Sequence, residues 1–362
     1  MSSPSLLESI DDGWTLPSSW YSDPAIFREE QRRILRRSWH FVTAVDALSQ
    51  PGDVYPCELG GVPIVLVRAH DGSINGFENI CRHRAYPVVQ EAGNRRTLQC
   101  HYHGWTYDLD GALRSAPQAN GPLGFEISEV CLPRVQVAVW GPMVWVNPSL
   151  DAPSFAQWTA GLDEHLLAQG CDVRTASLAT SHTWEIDANW KVFQDNTIEC
   201  YHCPTTHPEF SRAIVQDPAQ QVMEVGGRWW IHHTIPFRAG VPEGVTFVPD
   251  LYYYSWIFPT TYLQHCRKGF DIGTIDVIAV DRLRFRHLWF APTGTSADDI
   301  ALAQRQLEAD PTIPQDVEIC RLVQRSHDSG VAPAGRLLAG REALLTHFYR
   351  VIVEMMEEGD PA

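Results

Sequence analysis

Two short Cys/His spacings constrain this chain more than any other feature. Cys81-Arg82-His83 is followed, after sixteen intervening residues, by Cys100-His101-Tyr102-His103. Two thiols and two imidazoles spaced like this are metal ligands carried on two loops, so the stretch between them must bring the chain back on itself. Structural zinc sites usually pair like with like, as Cys-x(2–4)-Cys and His-x(3–5)-His. Here each pair mixes one thiolate with one imidazole. That suits a two-iron cluster in which one iron takes both thiolates and the other both imidazoles, with zinc as the alternative. Neutral imidazole in place of thiolate leaves such a cluster less negative. Its potential then runs from about −150 to +300 mV, against about −400 mV for all-thiolate plant-type clusters.

The surrounding sequence is compatible with hairpin-borne loops. Between Phe41 and Asn147, β-rich runs such as GGVPIVLVRA and VQVAVWGPMVWVN are punctuated by turn signals, Asp71-Gly72 and Asp110-Gly111 among them. Residues 1–22 read as an irregular lead, and Pro24 opens an amphipathic helix with Ile26, Phe27, Ile34, Leu35 and Trp39 as its apolar set. Residues 148–180 read as a connector with one helix. From Ser181 the pattern gives a strand and then a helix, NWKVFQDNTIECYHC. Long strands follow over QQVMEVGGRWWIHHTIPF, YYYSWIFPTTYLQH, DIGTIDVIAVD and RLRFRHLWFAP. Helices near 296–309, 315–326 and 341–357 close the chain. Strands flanked by helices predict an α+β second domain.

Composition narrows the partners. Lys plus Arg is 28 and Asp plus Glu is 44, a formal charge of −16, which opposes binding to phosphate backbones and anionic lipid. No apolar run approaches the ~20 residues of a membrane span. The N-terminus lacks the basic and apolar regions of a secretory signal. Nine cysteines, an odd number partly gathered in Cys/His clusters, predict a reducing, cytoplasmic setting and metal binding instead of a disulfide framework.

A second constellation lies in the helix that follows Asn189. His202 and His207 are five apart with Pro204 between them. Pro204 is expected to end the helix just after His202, letting His207 swing back toward the same point. Two His plus a distant carboxylate make a facial triad, which leaves three positions of an octahedral Fe(II) open. On spacing alone, two such histidines read more often as ordinary polar residues than as ligands.

The segment NICRHRAYPV…LQCHYHGWTYDLDGAL resembles the Rieske motif of the Rieske non-haem iron oxygenases. Ala85 stands where the family commonly has Gly, and His101 matches no family ligand. The string Asn189-Trp190-Lys191…Asn196…Glu199-x-Tyr201-His202-x4-His207 is similar to that family's iron-binding segment. PTIPQDVEICRLVQRS resembles its late helix, with Asp316 as the carboxylate ahead of Val323 and Gln324, and with Asp310 and Glu318 as competitors.

The resemblance implies a [2Fe–2S] cluster on Cys81, His83, Cys100 and His103, and a mononuclear Fe(II) on His202, His207 and Asp316. It implies an N-terminal helical segment (1–40), an all-β Rieske domain (41–150) and a helix-grip, START-like catalytic domain with an antiparallel sheet (151–362). It also implies a head-to-tail homotrimer, in which Glu199 bridges His103 of a neighbour to His202. Glu at this position, in Glu-Cys-Tyr-His-Cys, resembles relatives acting on quaternary ammonium compounds such as glycine betaine, carnitine, choline or stachydrine. The activity implied is that of a terminal oxygenase using O2 for hydroxylation or oxidative N-demethylation of a small molecule. Attack on an aromatic ring or heterocycle is the alternative, and a pure electron-transfer protein the remote one. The chain has no Gly-rich dinucleotide fingerprint, so electrons from NAD(P)H require a separate reductase or ferredoxin.

The substrate pocket is least defined. On the strand 252–258, Tyr252, Tyr254, Trp256 and Phe258 share one face, and Trp229 and Trp230 lie on an earlier strand. They read as a cation-binding surface, a stacking surface or plain core. Cys203, His232, His233, His265, Arg238 and Arg267 are further candidate contacts.

Overall fold

The computed structural model describes residues 4–117, 125–238, 251–266 and 269–358. The chain forms two compact units, one of residues 36–152 and one combining 1–35 with 153–362. No helix among the described residues is long and apolar enough to cross a membrane.

The first unit is all β. Its strands are β1 (His40–Ala44), β2 (Asp53–Leu59), β3 (Val62–Arg68), β4 (Ile74–Glu78), β5 (Gly93–Asn94), β6 (Leu98–Gln99), β7 (Thr106–Tyr107), β8 (Leu113–Ser115), β9 (Gln136–Trp140) and β10 (Met143–Asn147). They form three sheets, ordered β1-β10-β9, β4-β3-β2-β5 and β6-β7-β8. Ile64 to Val67 on β3 are buried on both faces, as a continuous apolar run between two packed layers should be. One core cluster joins Val65, Val67, Phe77 and Tyr107 to both motif cysteines, Cys81 and Cys100.

The second unit begins with α1 (Leu6–Asp11), α2 (Ser19–Ser22) and α3 (Pro24–Arg33). Two helices therefore lie within the stretch read as irregular. Ser5 closes a capping box with Glu8, so even a six-residue helix has its first amide groups satisfied. The expected connector helix is two, α4 (Phe155–Trp158) and α5 (Leu162–Ala168), separated at Gly161, whose φ of 81° no helix accommodates.

A seven-stranded antiparallel sheet follows: β11 (Ala176–Ile186), β12 (Val222–Val225), β13 (Trp230–Pro236), β14 (Leu251–Ile257), β15 (Thr261–Cys266), β16 (Gly269–Ala279) and β17 (Arg282–Pro292). Its order is β11-β17-β16-β15-β14-β13-β12. Two runs expected to be single long strands are hairpins. One turns between β12 and β13 at Gly226-Gly227, the other between β14 and β15 at Phe258-Pro259-Thr260. Glycine and proline interrupt pairing at these points.

Helices α6 (Trp190–Ile198), α7 (Cys203–Thr206) and α8 (Pro208–Ala213) lie between β11 and β12. Helices α9 (Ala297–Ala309), α10 (Thr312–Asp328) and α11 (Ala343–Glu357) follow the sheet. Helix α6 packs against α10 and α11, and its Phe193 meets Phe285 of the sheet at 4.8 Å between ring centroids. The α+β, antiparallel architecture expected from the sequence is borne out.

Candidate metal centres

In the first unit the two motif loops repeat one backbone turn. The Cys81 amide donates to Tyr86 O and the Ala85 amide to Cys81 O. The Cys100 amide donates to Trp105 O and the Gly104 amide to Cys100 O. The fifth residue of each turn is left-handed, Ala85 at φ 54° and Gly104 at φ 74°. Both sulfurs point into the core, while His83, His103 and His101 are exposed. The rings of His83 and His103 meet at 4.4 Å, and Trp105 stacks on His83 at 5.0 Å. Tyr107 Oη lies 3.3 Å from Cys81 Sγ. The fold thus gathers two thiols inside and two imidazoles outside, the donor set a two-iron cluster with split ligation needs. The cluster motif places no role on His101, and no contact draws it toward the other four.

The second centre sits beyond α6. Asn189 caps this helix by accepting from the Lys191 amide. The helix ends at Ile198, earlier than expected, and Glu199 is already extended. Pro204 does not terminate it. It occupies the first turn of α7, where its missing amide costs nothing, and His202 precedes that helix as its N-terminal flank. This break, and not a helix face, aims both histidines at one point. His202 Nε2 lies 3.3 Å from His207 Nε2, His207 Nε2 lies 2.9 Å from Asp316 Oδ1, and His202 Nε2 lies 3.5 Å from the same oxygen. Ligands held about 2.1 Å from one ion at right angles are about 3 Å apart, so the triangle fits three adjacent corners of an octahedron.

Further contacts orient these donors. Glu199 Oε1 accepts from His202 Nδ1 at 2.5 Å, and its other oxygen accepts the Tyr201 and His202 amides. Gln315 Oε1 sits 2.7 Å from His207 Nδ1. Each imidazole is thus held from behind, as metal-ligating histidines usually are. Burial opposes charging His202, but its hydrogen bonds to Asp316 and Glu199 outweigh this and lift it to about 9. Burial likewise pushes Asp316 up, but the two histidines hold it below the usual carboxylate range. The competitors lie elsewhere: Asp310 accepts the Thr312 amide, and exposed Glu318 pairs with Arg321.

One pair of cysteines is joined locally, and six others are free among the described residues. Cys200 and Cys203 flank His202 and are joined as a disulfide, their Cα atoms 5.1 Å apart. The turn brings them within bridging reach, which the odd cysteine count concealed. Several candidate contacts also fall away from this centre. His232 bonds Ser255 and His265 stacks on Tyr253, both on the sheet face turned away from α6. Arg238 is exposed and donates to Ile214 O. His233 lies on the α6 side, near Gln221. Arg267 lies outside the described residues.

Sequence reasoning missed Gln324's work and three residues of the α6-facing surface. Gln324 Oε1 accepts the Asn189 amide at 2.8 Å, tying α10, which carries Asp316, to the start of α6. Tyr262, Asp271 and His287 lie on the sheet face toward α6. Strand alternation carried that signal, had the β14–β15 hairpin been recognised.

Comparison with known proteins identifies both domains. Residues 174–358 match the family described as ring hydroxylating alpha subunit (catalytic domain), and residues 38–136 match the Rieske [2Fe-2S] domain. The carnitine monooxygenase oxygenase subunit of Escherichia coli (strain K12) is 26% identical over 363 residues, covering 96% of this chain and 95% of that one. The chloroplastic choline monooxygenase of Arabidopsis thaliana is 27% identical over 355 residues, covering 92% of this chain and 81% of that one. A quaternary ammonium Rieske monooxygenase, whose structure was described for carnitine oxidation and inter-subunit electron transfer, superposes with a TM-score of 0.84. It shares 22% identity and covers 97% of this chain and 98% of its own. Proteins of this kind are oxidoreductases that carry a [2Fe–2S] cluster and use mononuclear iron with dioxygen. The chain belongs to the ring-hydroxylating alpha subunits of the Rieske non-haem iron oxygenases.

Proposed function

We propose that this chain is the terminal oxygenase of a multicomponent system that hydroxylates an N-methyl group of a small quaternary ammonium compound. The observation that supports it most is the Glu199–His202–His207–Asp316 arrangement within Glu-Cys-Tyr-His-Cys, on a chain whose full-length relatives are carnitine and choline monooxygenases. Cys81, His83, Cys100 and His103 would hold the cluster, and His202, His207 and Asp316 the iron. When bound, the cluster relays single electrons and the iron activates dioxygen.

The residues' own tasks follow from their contacts. Glu199 fixes the ring plane of His202 and keeps its Nδ1 proton, leaving Nε2 as the donor atom. Gln315 does the same for His207. In a head-to-tail homotrimer, the exposed His103 of one subunit would meet Glu199 of the next, joining the two centres across the boundary. A separate NAD(P)H-dependent reductase would supply the electrons. Hydroxylating an N-methyl group gives a hemiaminal, which releases formaldehyde and the demethylated amine.

A single-turnover experiment tests the substrate class. Iron-replete protein is reduced chemically, freed of reductant and given oxygen with methylated amines or with aromatic acids and amides. Formaldehyde and a product lighter by one methylene, in the amine pool only, are expected. Oxygenated products in the aromatic pool alone would overturn the substrate class and leave the metal assignments standing.

A further inference from the structure

We propose that Cys200 and Cys203 form a thiol–disulfide switch on the candidate iron centre. The bridge keeps sulfur off the metal, and its reduction frees Cys203 to join His202, His207 and Asp316 as a fourth ligand. This rests on the metal centre of the reading above and is independent of its substrate class.

Position carries the argument. The two cysteines stand on either side of His202 in Glu199-Cys200-Tyr201-His202-Cys203, and their bridge closes the turn that aims this imidazole. Glu199 spans the same turn, accepting from the Tyr201 and His202 amides and from His202 Nδ1. The turn is therefore held twice, once by a carboxylate and once by a bond that a reductant can break. Opening that bond leaves the three contacts of Glu199 available, so His202 keeps its orientation while two thiols are released.

The two sulfurs differ in what they face. Cys203 is buried at 5% exposure, whereas Cys200 is half-buried. Cys203 Sγ lies 4.0 Å from His202 Nε2, the nitrogen that meets His207 and Asp316. An imidazole nitrogen and a thiolate sulfur at right angles about one ion, about 2.1 and 2.3 Å from it, are about 3.1 Å apart. Freed from Cys200, the sulfur has to shift by about 1 Å to reach that spacing. A bridged sulfur is a poor donor, and the thiolate is the form that binds metals. Soft thiolate turns a site's preference toward zinc, and a fourth protein ligand occupies a position that the facial triad leaves open for dioxygen and substrate.

The unequal burial sets the order of the exchange. A small dithiol attacks Cys200 Sγ, the more accessible sulfur, and the S–S bond breaks with Cys203 leaving as the thiolate. The second thiol of the reductant then displaces Cys200. Two protein thiols and one oxidised reductant result. Hydrogen peroxide drives the return. It oxidises the Cys200 thiol to a sulfenic acid with loss of water, and Cys203 condenses with that acid, releasing a second water and restoring the bridge.

The test compares the two forms of the full-length, cluster-containing protein. Samples are treated with dithiothreitol or with dilute hydrogen peroxide, trapped with iodoacetamide and digested. Mass spectrometry should find Cys200 and Cys203 both alkylated after the first and joined after the second. Each form is then stripped of mononuclear metal, checked for its cluster spectrum, and titrated with Co(II) and Zn(II). The dithiol form is expected to show sulfur-to-cobalt charge-transfer absorption and to bind Zn(II) about tenfold more tightly than the disulfide form. Cys203→Ser should abolish both effects. Cys200→Ser, which cannot close the bridge, should show both whatever the treatment, and the wild-type comparison stands if either variant fails to fold. A pair that responds to neither reagent overturns the switch. So does Co(II) bound equally in both forms without the sulfur absorption, and in that case the metal centre stands. Failure of Co(II) to bind either form would overturn the metal centre and the switch with it.

Discussion

Ala85 is the one non-glycine with a positive φ among the described residues, and it sits in one of the two Cys/His motif loops. Its twin position in the other loop is Gly104. A Cβ in this conformation costs about 1 kcal/mol or more. Ala85→Gly should therefore raise the thermal midpoint of the Rieske unit, by about 1 kcal/mol equivalent, without altering the cluster's visible spectrum. Differential scanning calorimetry with absorbance checks both. The departure from Cys-x-His-Arg-Gly was legible in the sequence; that it stores strain emerged only from the backbone.

Asp316→Ala should lose mononuclear iron while keeping the cluster spectrum, read by metal analysis of the purified variant. Iron retained at that centre would reassign the third ligand. The aligned segment found Asp316, but nothing local distinguished it from Asp310 and Glu318. Their partners, an amide and an arginine, are what set them apart.

Among the elements, α6 depends on a buried ion pair. Lys191 Nζ donates to Glu30 Oε2 at 2.9 Å, with both side chains fully buried, and Trp190 Nε1 donates to the same carboxylate at 3.0 Å. This pins α3 to the helix that leads into the candidate iron ligands. Lys191→Met should cost about 3–5 kcal/mol, because Glu30 is left charged and enclosed. The double change Lys191→Met/Glu30→Leu should recover much of that loss, and chemical denaturation of the three proteins checks it.

The sheet makes its own prediction about pH. Burial lowers His232 to about 3 and His233 and His287 to about 4. Their folded values lie below the ordinary 6.5, so the stability tied to their neutral forms is present above that value and is lost as pH falls toward 4. Melting temperature should drop between pH 6.5 and 4.5, and His232→Gln should flatten part of that slope. Strand content was legible from alternation, but the hairpins were not. GGRWW and FPTT were absorbed into long apolar runs because aromatic residues continue on both sides of each turn.

At the scale of the molecule, the proposed head-to-tail ring makes a quantitative claim. A variant without cluster, His83→Ala/His103→Ala, and a variant without iron, Asp316→Ala, should each be inactive. Co-assembled in equal amounts, they should regain about a quarter of wild-type turnover. Half the subunits keep an iron centre, and half of those gain a neighbour with a cluster. Zero turnover in a verified mixed assembly would mean that electrons stay within one chain. Both domains and their metals were legible because each centre is written in short contiguous motifs. The α6-facing rows of the sheet were not, since Tyr254, Tyr262, Asp271 and His287 come from four strands and become neighbours only through register.

That separation has a consequence for descent. The candidate iron ligands come from the turn around 199–207 and from the start of α10, where Glu199, Gln315 and the interrupted helix fix them. The α6-facing rows of the sheet contribute none of these ligands. Drift along alternate strand positions can therefore change that face while the turn that gathers the candidate ligands is inherited intact.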